Sequence, residues 1–431
     1  MTDPSSPANE CIKWATSHGA LIEQLHVQEI PGRGNSLVAS AHNGNGQSIF
    51  IPTNLLLTLK NIELFATQTP AFQAILHEWS ARVKLTSRRA IIILMAYTAV
   101  HGSPWSPYLN SLPDHVSSPL FWSGQERRLL DGTSIEGVAE DKMAFLEAWL
   151  QYQKRRQNAS EFTLGLELKD LMKYEMLVDS RALLSNEDDS CMVPVIDFAN
   201  HSSLKPGQTG SQNAVWEMDD TGFHLSTLYD IAPGEEVLFS YGKRGNGELL
   251  FKYGFVEEHQ VEGGSRSMTI ELPIDETQAA HLNFGEPSFT IAPEIADDPL
   301  FVQDSWFLWM NVLLEENDTD WSTSKFRGAA IGRDMLQRLQ TQDDWPWFHF
   351  KACSIALSCL TRQRQRLDQT EEDTELIAIA KAVGAEVLAA VDAVRDSERV
   401  TLDLNIEKMQ KLQIRLLEDP IVQHRAALCK P

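Results

Sequence analysis

The chain has 431 residues, 43% hydrophobic and 23% charged, which is long for one core and ordinary for a water-soluble globular protein. Its 37 basic against 60 acidic side chains give a formal charge of −23, which speaks against a nucleic-acid surface, because neutralising phosphates takes clustered Lys and Arg. The polar start over residues 1–10 and an apolar run no longer than residues 90–100 argue against a secretory leader and a bilayer span.

Residues 10–60 read as a β unit, with a strand over 22–30, a turn at Gly32-Arg33-Gly34 and a strand at Leu37-Val-Ala39. Asn43-Gly-Asn-Gly46 predicts a hairpin between that strand and Ser48-Ile-Phe-Ile51, since both dipeptides accept positive φ. From about residue 70 the periodicity turns helical, over 71–83, 87–101 and 143–157, and Ser123 with Glu126 makes a capping box at a helix start. Val193-Pro-Val-Ile-Asp-Phe-Ala-Asn-His-Ser202 reads as an apolar strand closing on polar groups. Strands at 214–216 and 223–228 flank the turn Asp219-Asp-Thr-Gly222, Pro233-Gly234 has the order of a type II turn, and Val237-Leu-Phe-Ser-Tyr-Gly242 is a strand ending in a phenol. The two β pieces are each too short for a core of their own, so they are expected to form one domain split by a helical insertion. Beyond 260 a short strand at 267–273 leads into helices at 299–314, 325–339, 347–367, 374–397 and 402–417.

The five cysteines, at 11, 191, 353, 359 and 429, form no Cys-x-x-Cys pair, so neither a zinc site nor a disulfide framework is expected. Isolated thiols fit a reducing compartment, the cytoplasm or the nucleus. Phosphate-loop, serine-elbow, His-Glu-x-x-His and dinucleotide fingerprints are all missing. Taken singly, Asn200-His201 reads as a cap after a strand, Tyr241 and Tyr253 as core-edge aromatics, and Arg181 as a surface charge.

In combination these residues resemble a known family. Asn200-His201-Ser202, then Gly234-Glu-Glu-Val237 running into Ser240-Tyr241, is similar to the signature of SET-domain protein lysine methyltransferases, and Ile30-Pro-Gly-Arg-Gly34 resembles that family's opening turn. Pro104-Trp-Ser-Pro-Tyr-Leu109, Ser180-Arg-Ala182 and Gly247-Glu-Leu-Leu-Phe-Lys-Tyr-Gly-Phe255 resemble the branch typified by the Rubisco large-subunit methyltransferase.

The resemblance implies an α+β fold: a β-rich SET domain in two parts (10–69 and 191–258) around a helical insertion (70–190), followed by a mostly α-helical substrate-binding domain (259–431). It implies S-adenosyl-L-methionine held by Gly32, Arg33, Gly34, Arg181, Asn200, His201 and Tyr241, with Tyr241 beside the transferred methyl. Arg33 would meet it mainly through backbone. Asp197, Leu183 and Tyr253 would face the substrate. No metal is called for. Asn35-Ser36 departs from the family as an insertion between Gly34 and Leu37. The expected substrate is a non-histone protein presenting a lysine, with a basic or ribosomal protein suiting the acidic chain. Neither nucleic acid nor membrane is an expected partner, and the chain is expected to be a monomer. A related branch methylates histidine in actin and places a polar residue two positions after the Arg and a Trp before the Asp; Leu183 and Ile196 stand there instead, which favours lysine. A catalytically inactive binding protein of the same fold is the third reading.

Overall fold

A computed structural model describes residues 6–42, 46–81, 84–184, 190–204, 210–257, 268–271, 288–291 and 340–428. By internal contacts the chain divides into two compact units. The first comprises Met1–Phe121, Val138–Gly242 and Phe251–Gly254; the second comprises Trp122–Gly137, Lys243–Leu250 and Phe255–Pro431.

In the first unit the strands are short: β1 (Leu21–Ile22), β2 (Leu25–Ile30), β3 (Gly34–Ala39), β4 (Gly46–Pro52), β5 (Leu183–Leu184), β6 (Ser190–Cys191), β7 (Asn200–His201), β8 (Ala214–Met218), β9 (Gly222–Thr227) and β10 (Leu238–Phe239). An antiparallel sheet runs in the order β1-β4-β9-β8, while β2-β3, β5-β6 and the parallel pair β7-β10 stand as separate ladders. The hairpin expected between Leu37-Ala39 and Ser48-Ile51 is therefore not formed: β3 pairs with β2, and β4 pairs with β1 and β9. Residues 43–45, inside the turn signal, lie outside the described residues. A turn signal predicts a chain reversal, not which ladders the flanking strands join. Ile49 and Ile51, both fully buried, take β4 to the interior of a sheet.

Helix Ser87–His101 is buried without interruption over residues 90–98, so it is apolar on every face rather than striped. The Thr86 hydroxyl caps its start and Gly102, at φ +75°, ends it. From its first turn Arg88 reaches Glu175 and Asp179, each at 2.7 Å, and Lys142 meets Glu175 at 2.5 Å. Both carboxylates stand on helix Leu168–Arg181, so this cluster fixes the helix whose last residue is Arg181. The capping box at Ser123 and Glu126 forms as expected. Helix Leu59–Gln68 is an element that the sequence does not announce, and the third expected helix begins earlier, spanning Val138–Lys154.

In the second unit, β11 (Met268–Glu271) pairs antiparallel with β12 (Ser288–Ile291). The expected helices at 299–314 and 325–339 lie outside the described residues. Helix Trp345–Glu371 packs Ala352, Cys353, Ala356 and Leu360 in one apolar cluster with Leu402, Met409 and Leu412. The boundaries differ from the expected ones: Thr374–Ala380 is a short helix, and Ala385–Leu417 runs on through 398–401. The charged run Asp396-Ser-Glu-Arg399 looks like a break, but Arg395 and Glu398 turn inward there. Arg395 donates to the carbonyls of Leu129 and Asp131, and Glu398 accepts from the Ser134 hydroxyl and amide. Polar side chains thus satisfy backbone groups of 122–137 inside the unit. Among the described residues no helix is long and apolar enough to cross a membrane.

Candidate active site

The segment expected to be an apolar strand from Val193 is not one. Met192 makes a bridge to Leu57, the chain then turns, Ile196–Phe198 is a 3-10 turn, and strand pairing resumes only at Asn200. Pro194 has no amide hydrogen to give a ladder, and Val195 sits at φ +71°, ψ −41°, a conformation closed to strands and costly for a β-branched side chain. Such strain, of order 1–3 kcal/mol, persists only where the surroundings over-determine it. Val195 and Ile196 are buried, and the Phe198 amide closes the turn on the Val195 carbonyl. The consequence is directional: Asp197 leaves the turn on its own path and does not share a strand with Asn200, contrary to the expectation of one continuous strand.

Asn200 and His201 pair in parallel with Leu238 and Phe239, which joins two segments far apart in the chain. The Asn200 side-chain amide donates to Ser36 Oγ and to Glu236 Oε1, both at 2.7 Å, and to the Arg33 carbonyl at 3.5 Å. A carboxylate only accepts, so this contact fixes the amide orientation and assigns Oδ1 as the acceptor atom of the Asn200 side chain. Arg33 donates to the His201 carbonyl at 3.1 Å and pairs with Glu236 at 3.4 Å. Its side chain thus ties the opening turn to β7 and to the segment before β10. Gly32 and Gly34, at φ +76° and +70°, give the turn that brings it there. The type II turn is formed, with Gly234 at φ +86° and the Glu235 amide bonded to the Ala232 carbonyl. The segment after it is laced to β3 through Ala39 and Leu37, and Asn213 holds it from below with bonds to Glu236 and Leu238.

Tyr241 lies two residues past β10. Its amide donates to His201 Nδ1 at 3.0 Å, which assigns that nitrogen as an acceptor, and its hydroxyl donates to the Ala199 carbonyl at 2.9 Å. The ring stacks on His201 at 5.0 Å and meets Tyr253 at 4.9 Å and Phe239 at 5.1 Å. Burial, with Tyr253 and Asp197 adding, pushes its phenol well above the usual range, against the pull of Arg181 and Arg33. At neutral pH it is a neutral donor. It is no resting base.

Arg181 and Asp197 face each other, Nε to Oδ2, at 3.8 Å, with side chains 22% and 4% exposed. Arg181 is thus not the surface charge it resembles in isolation. Arg181 Nε and Asp197 Oδ1 are buried, and neither has a hydrogen-bond partner among the described residues. Burial pushes the Asp197 carboxyl up to about 6, although Arg181 and Tyr108 pull it down. Leu183, half-buried in β5, packs against the same core as Tyr241.

Tyr253 ends helix Asn246–Tyr253, and Gly254 follows at φ +78°. A Cβ on Gly254 would lie 2.8–3.1 Å from the Ser117 backbone. Gly254→Ala is therefore expected to cost about 2 kcal/mol or more through strain and overlap together, measured as a lowered urea midpoint. A melt indistinguishable from wild type would show that this contact is not tight.

Three contributors carry no signal of their role in the sequence: Ser36, Glu236 and Tyr108. Ser36 belongs to the apparent insertion, yet it is fully buried within β3 and bonds Asn200. Glu236 lies in the Gly234-Glu-Glu-Val motif, and Tyr108 in the Pro104–Leu109 motif, so the motifs point to both positions without saying what either side chain does.

The SET domain family matches residues 34–242, which include every one of these residues except Gly32, Arg33, Tyr253 and Gly254. This chain is similar to that family over just under half of its length. It is 26% identical over 315 residues to SET domain-containing protein 8 of Schizosaccharomyces pombe, covering 69% of this chain and 70% of that one. N-lysine methyltransferase setd6 of Salmo salar is 27% identical over 247 residues, 52% of each chain. Actin-histidine N-methyltransferase of Gallus gallus is 24% identical over 262 residues, 57% of this chain and 42% of the relative. The chain thus spans about half the length of these last two relatives. Among solved structures, the SET domain of LSMT bound to methyllysine and AdoHcy superposes with a TM-score of 0.67 at 17% identity, covering 99% of this chain and 97% of that one. Rubisco LSMT bound to AdoMet gives 0.65 at 17% identity, covering 99% and 98%. The α+β SET fold, read from the sequence, is the fold of this chain.

Proposed function

We propose that this SET-domain protein is an S-adenosylmethionine-dependent methyltransferase that modifies a lysine of a non-histone protein. The observation that carries the proposal is the joining of Asn200-His201 to the Tyr241 segment, which puts an amide acceptor, a stacked aromatic wall and the Arg181–Asp197 pair around one place. The residues fit the group. Arg181 Nε is a buried donor with no hydrogen-bond partner among the described residues and suits a carboxylate, while Asn200 Oδ1 is an acceptor suited to an ammonium. When bound, the cofactor supplies a methyl carbon made electrophilic by sulfonium.

The protein's part is alignment and exclusion of water. Tyr241 and Tyr253 wall a channel in which a lysine, whose free pKa is about 10.4, sheds its proton through desolvation and the nearby positive charge. The Tyr241 hydroxyl, held on the Ala199 carbonyl, orients rather than deprotonates. Leu183 and Ile196 support lysine, since an imidazole is seated by polar groups and both positions are apolar. The acidic chain suits a basic protein as partner. The similarity to an actin-histidine methyltransferase keeps histidine as the second reading.

The test is transfer of labelled methyl into a fractionated basic protein extract, followed by mass spectrometry of the modified peptides. Methyllysine is expected. Methylhistidine would replace the lysine reading with the second one, and absence of both transfer and cofactor binding by titration calorimetry would end the enzyme reading.

A further inference from the structure

Tyr108 stands on the short helix Ser106–Leu109 and is fully buried. Its place is set from several sides: the Trp105 indole donates to the Leu55 carbonyl at 2.9 Å, and the Ser111 hydroxyl donates to the Tyr108 carbonyl at 2.6 Å. From there the Tyr108 hydroxyl donates to Asp197 Oδ2 at 3.0 Å. The same oxygen faces Arg181, while Asp197 Oδ1 is buried with no partner among the described residues. The two oxygens of a carboxylate exchange by a half-turn and are equivalent, so what the directed donor on Oδ2 fixes is the plane of the group, and with it the place of the oxygen left free.

We propose that Tyr108 is a positioning residue of the SET site: it locks the Asp197 carboxylate so that Oδ1 faces the site as the acceptor for an N–H of the incoming protein substrate. This rests on the methyltransferase reading above. The ionisable groups facing the carboxyl are Arg181, Tyr108, Cys11 and Tyr241. Burial pushes the Cys11 thiol up to about 12 and Tyr241 well above its usual range, so neither carries charge near neutrality. Arg181, the Tyr108 hydrogen bond and the backbone amide of Asp197 itself favour the ionised carboxylate against its burial. Protonation would remove the charge, weaken the acceptor and put an O–H donor on the group, so activity should fall on the acid side.

The experiment compares wild type with Tyr108→Phe and with 3-fluorotyrosine placed at 108, a stronger donor of the same shape. Loss of the donor should move the acid limb of kcat/KM upward by about one pH unit, giving roughly threefold less activity near pH 6.5, approaching tenfold near pH 5, and near-normal activity at about pH 8.5. The fluorinated side chain should move the limb down. Independently of any turnover, carbon NMR of side-chain-labelled Asp, assigned with Asp197→Asn, should show the Asp197 titration shifting in the same two directions. That second readout stands even if no methyl acceptor is found, which separates failure of this inference from failure of the methyltransferase reading. An unshifted Asp197 titration in both variants, or a loss of activity equal at every pH, overturns the proposal and leaves Tyr108 a core residue.

Discussion

Tyr241→Phe is expected to lower methyl transfer by roughly 10²–10³-fold while affinity for S-adenosylmethionine changes little, a separation that titration calorimetry and single-turnover rates can measure together. The argument is geometric. The hydroxyl is held by the Ala199 carbonyl, and the ring is clamped between His201 and Tyr253. Deleting the oxygen leaves the ring in place, so the aromatic wall and the Asn200 network survive. What is lost is one fixed dipole at the centre of the wall. Its phenol stays protonated across the working range, so no pH change should restore the variant. A rate equal to wild type would remove Tyr241 from the chemistry and leave it a structural clamp.

Asp197→Asn should uncouple function from stability. The folded protein holds the Asp197 carboxyl at about 6 against an ordinary 3.8, chiefly through burial. A carboxyl whose folded value is raised favours the folded state most when protonated, below its unfolded value, and that advantage is lost as pH rises through the folded value. Such a displacement is worth about 3 kcal/mol, so the stability of Asp197→Asn relative to wild type should improve by that order between about pH 4 and about pH 7.5. Asn keeps an oxygen for the Tyr108 hydroxyl, so the local packing is preserved. Methyl transfer should nevertheless fall, because the charge opposite Arg181 is gone. Urea melts at the two pH values decide it: a pH-independent stability difference would mean that Asp197 does not titrate as its burial implies. A buried carboxylate retained at a cost in stability is what a working site leads one to expect.

The polar endpoints of the site are legible in the sequence, and the path between them is concealed. Asn200, His201, Tyr241 and Arg33 can be singled out because their order and spacing form a pattern, and the structure brings those four into contact with one another or with a shared neighbour. The path from Val193 to Ala199 reads wrongly as a strand because a run buried on all sides has no period to distinguish a strand from a turn. Val195 at positive φ is invisible to any propensity argument, since tertiary packing overrides its preference. Tyr108 and Ser36 escape notice for a different reason. Each acts through one side-chain hydrogen bond to a residue far along the chain, and a lone Tyr or Ser has no local signature of such a bond. The continuous helix Ala385–Leu417, expected as two helices parted at 398–401, runs through a segment in which Glu398 is charged and yet buried.

The parallel pairing of Asn200-His201 with Leu238-Phe239 also dictates when the site can come into being. Its parts are drawn from Arg33, Arg181, Asn200, Tyr241 and Tyr253, and no local piece of the chain contains a working fraction of them. During synthesis at roughly 5–20 residues per second, the opening turn waits tens of seconds for Tyr241 to leave the ribosome. Contacts of such high sequence separation form late and slowly, because loop closure is unfavourable before the contacts reward it. Binding of the nucleoside ligand would then report completion of the whole first unit, and a ligand present during refolding should act on the last step rather than on early collapse.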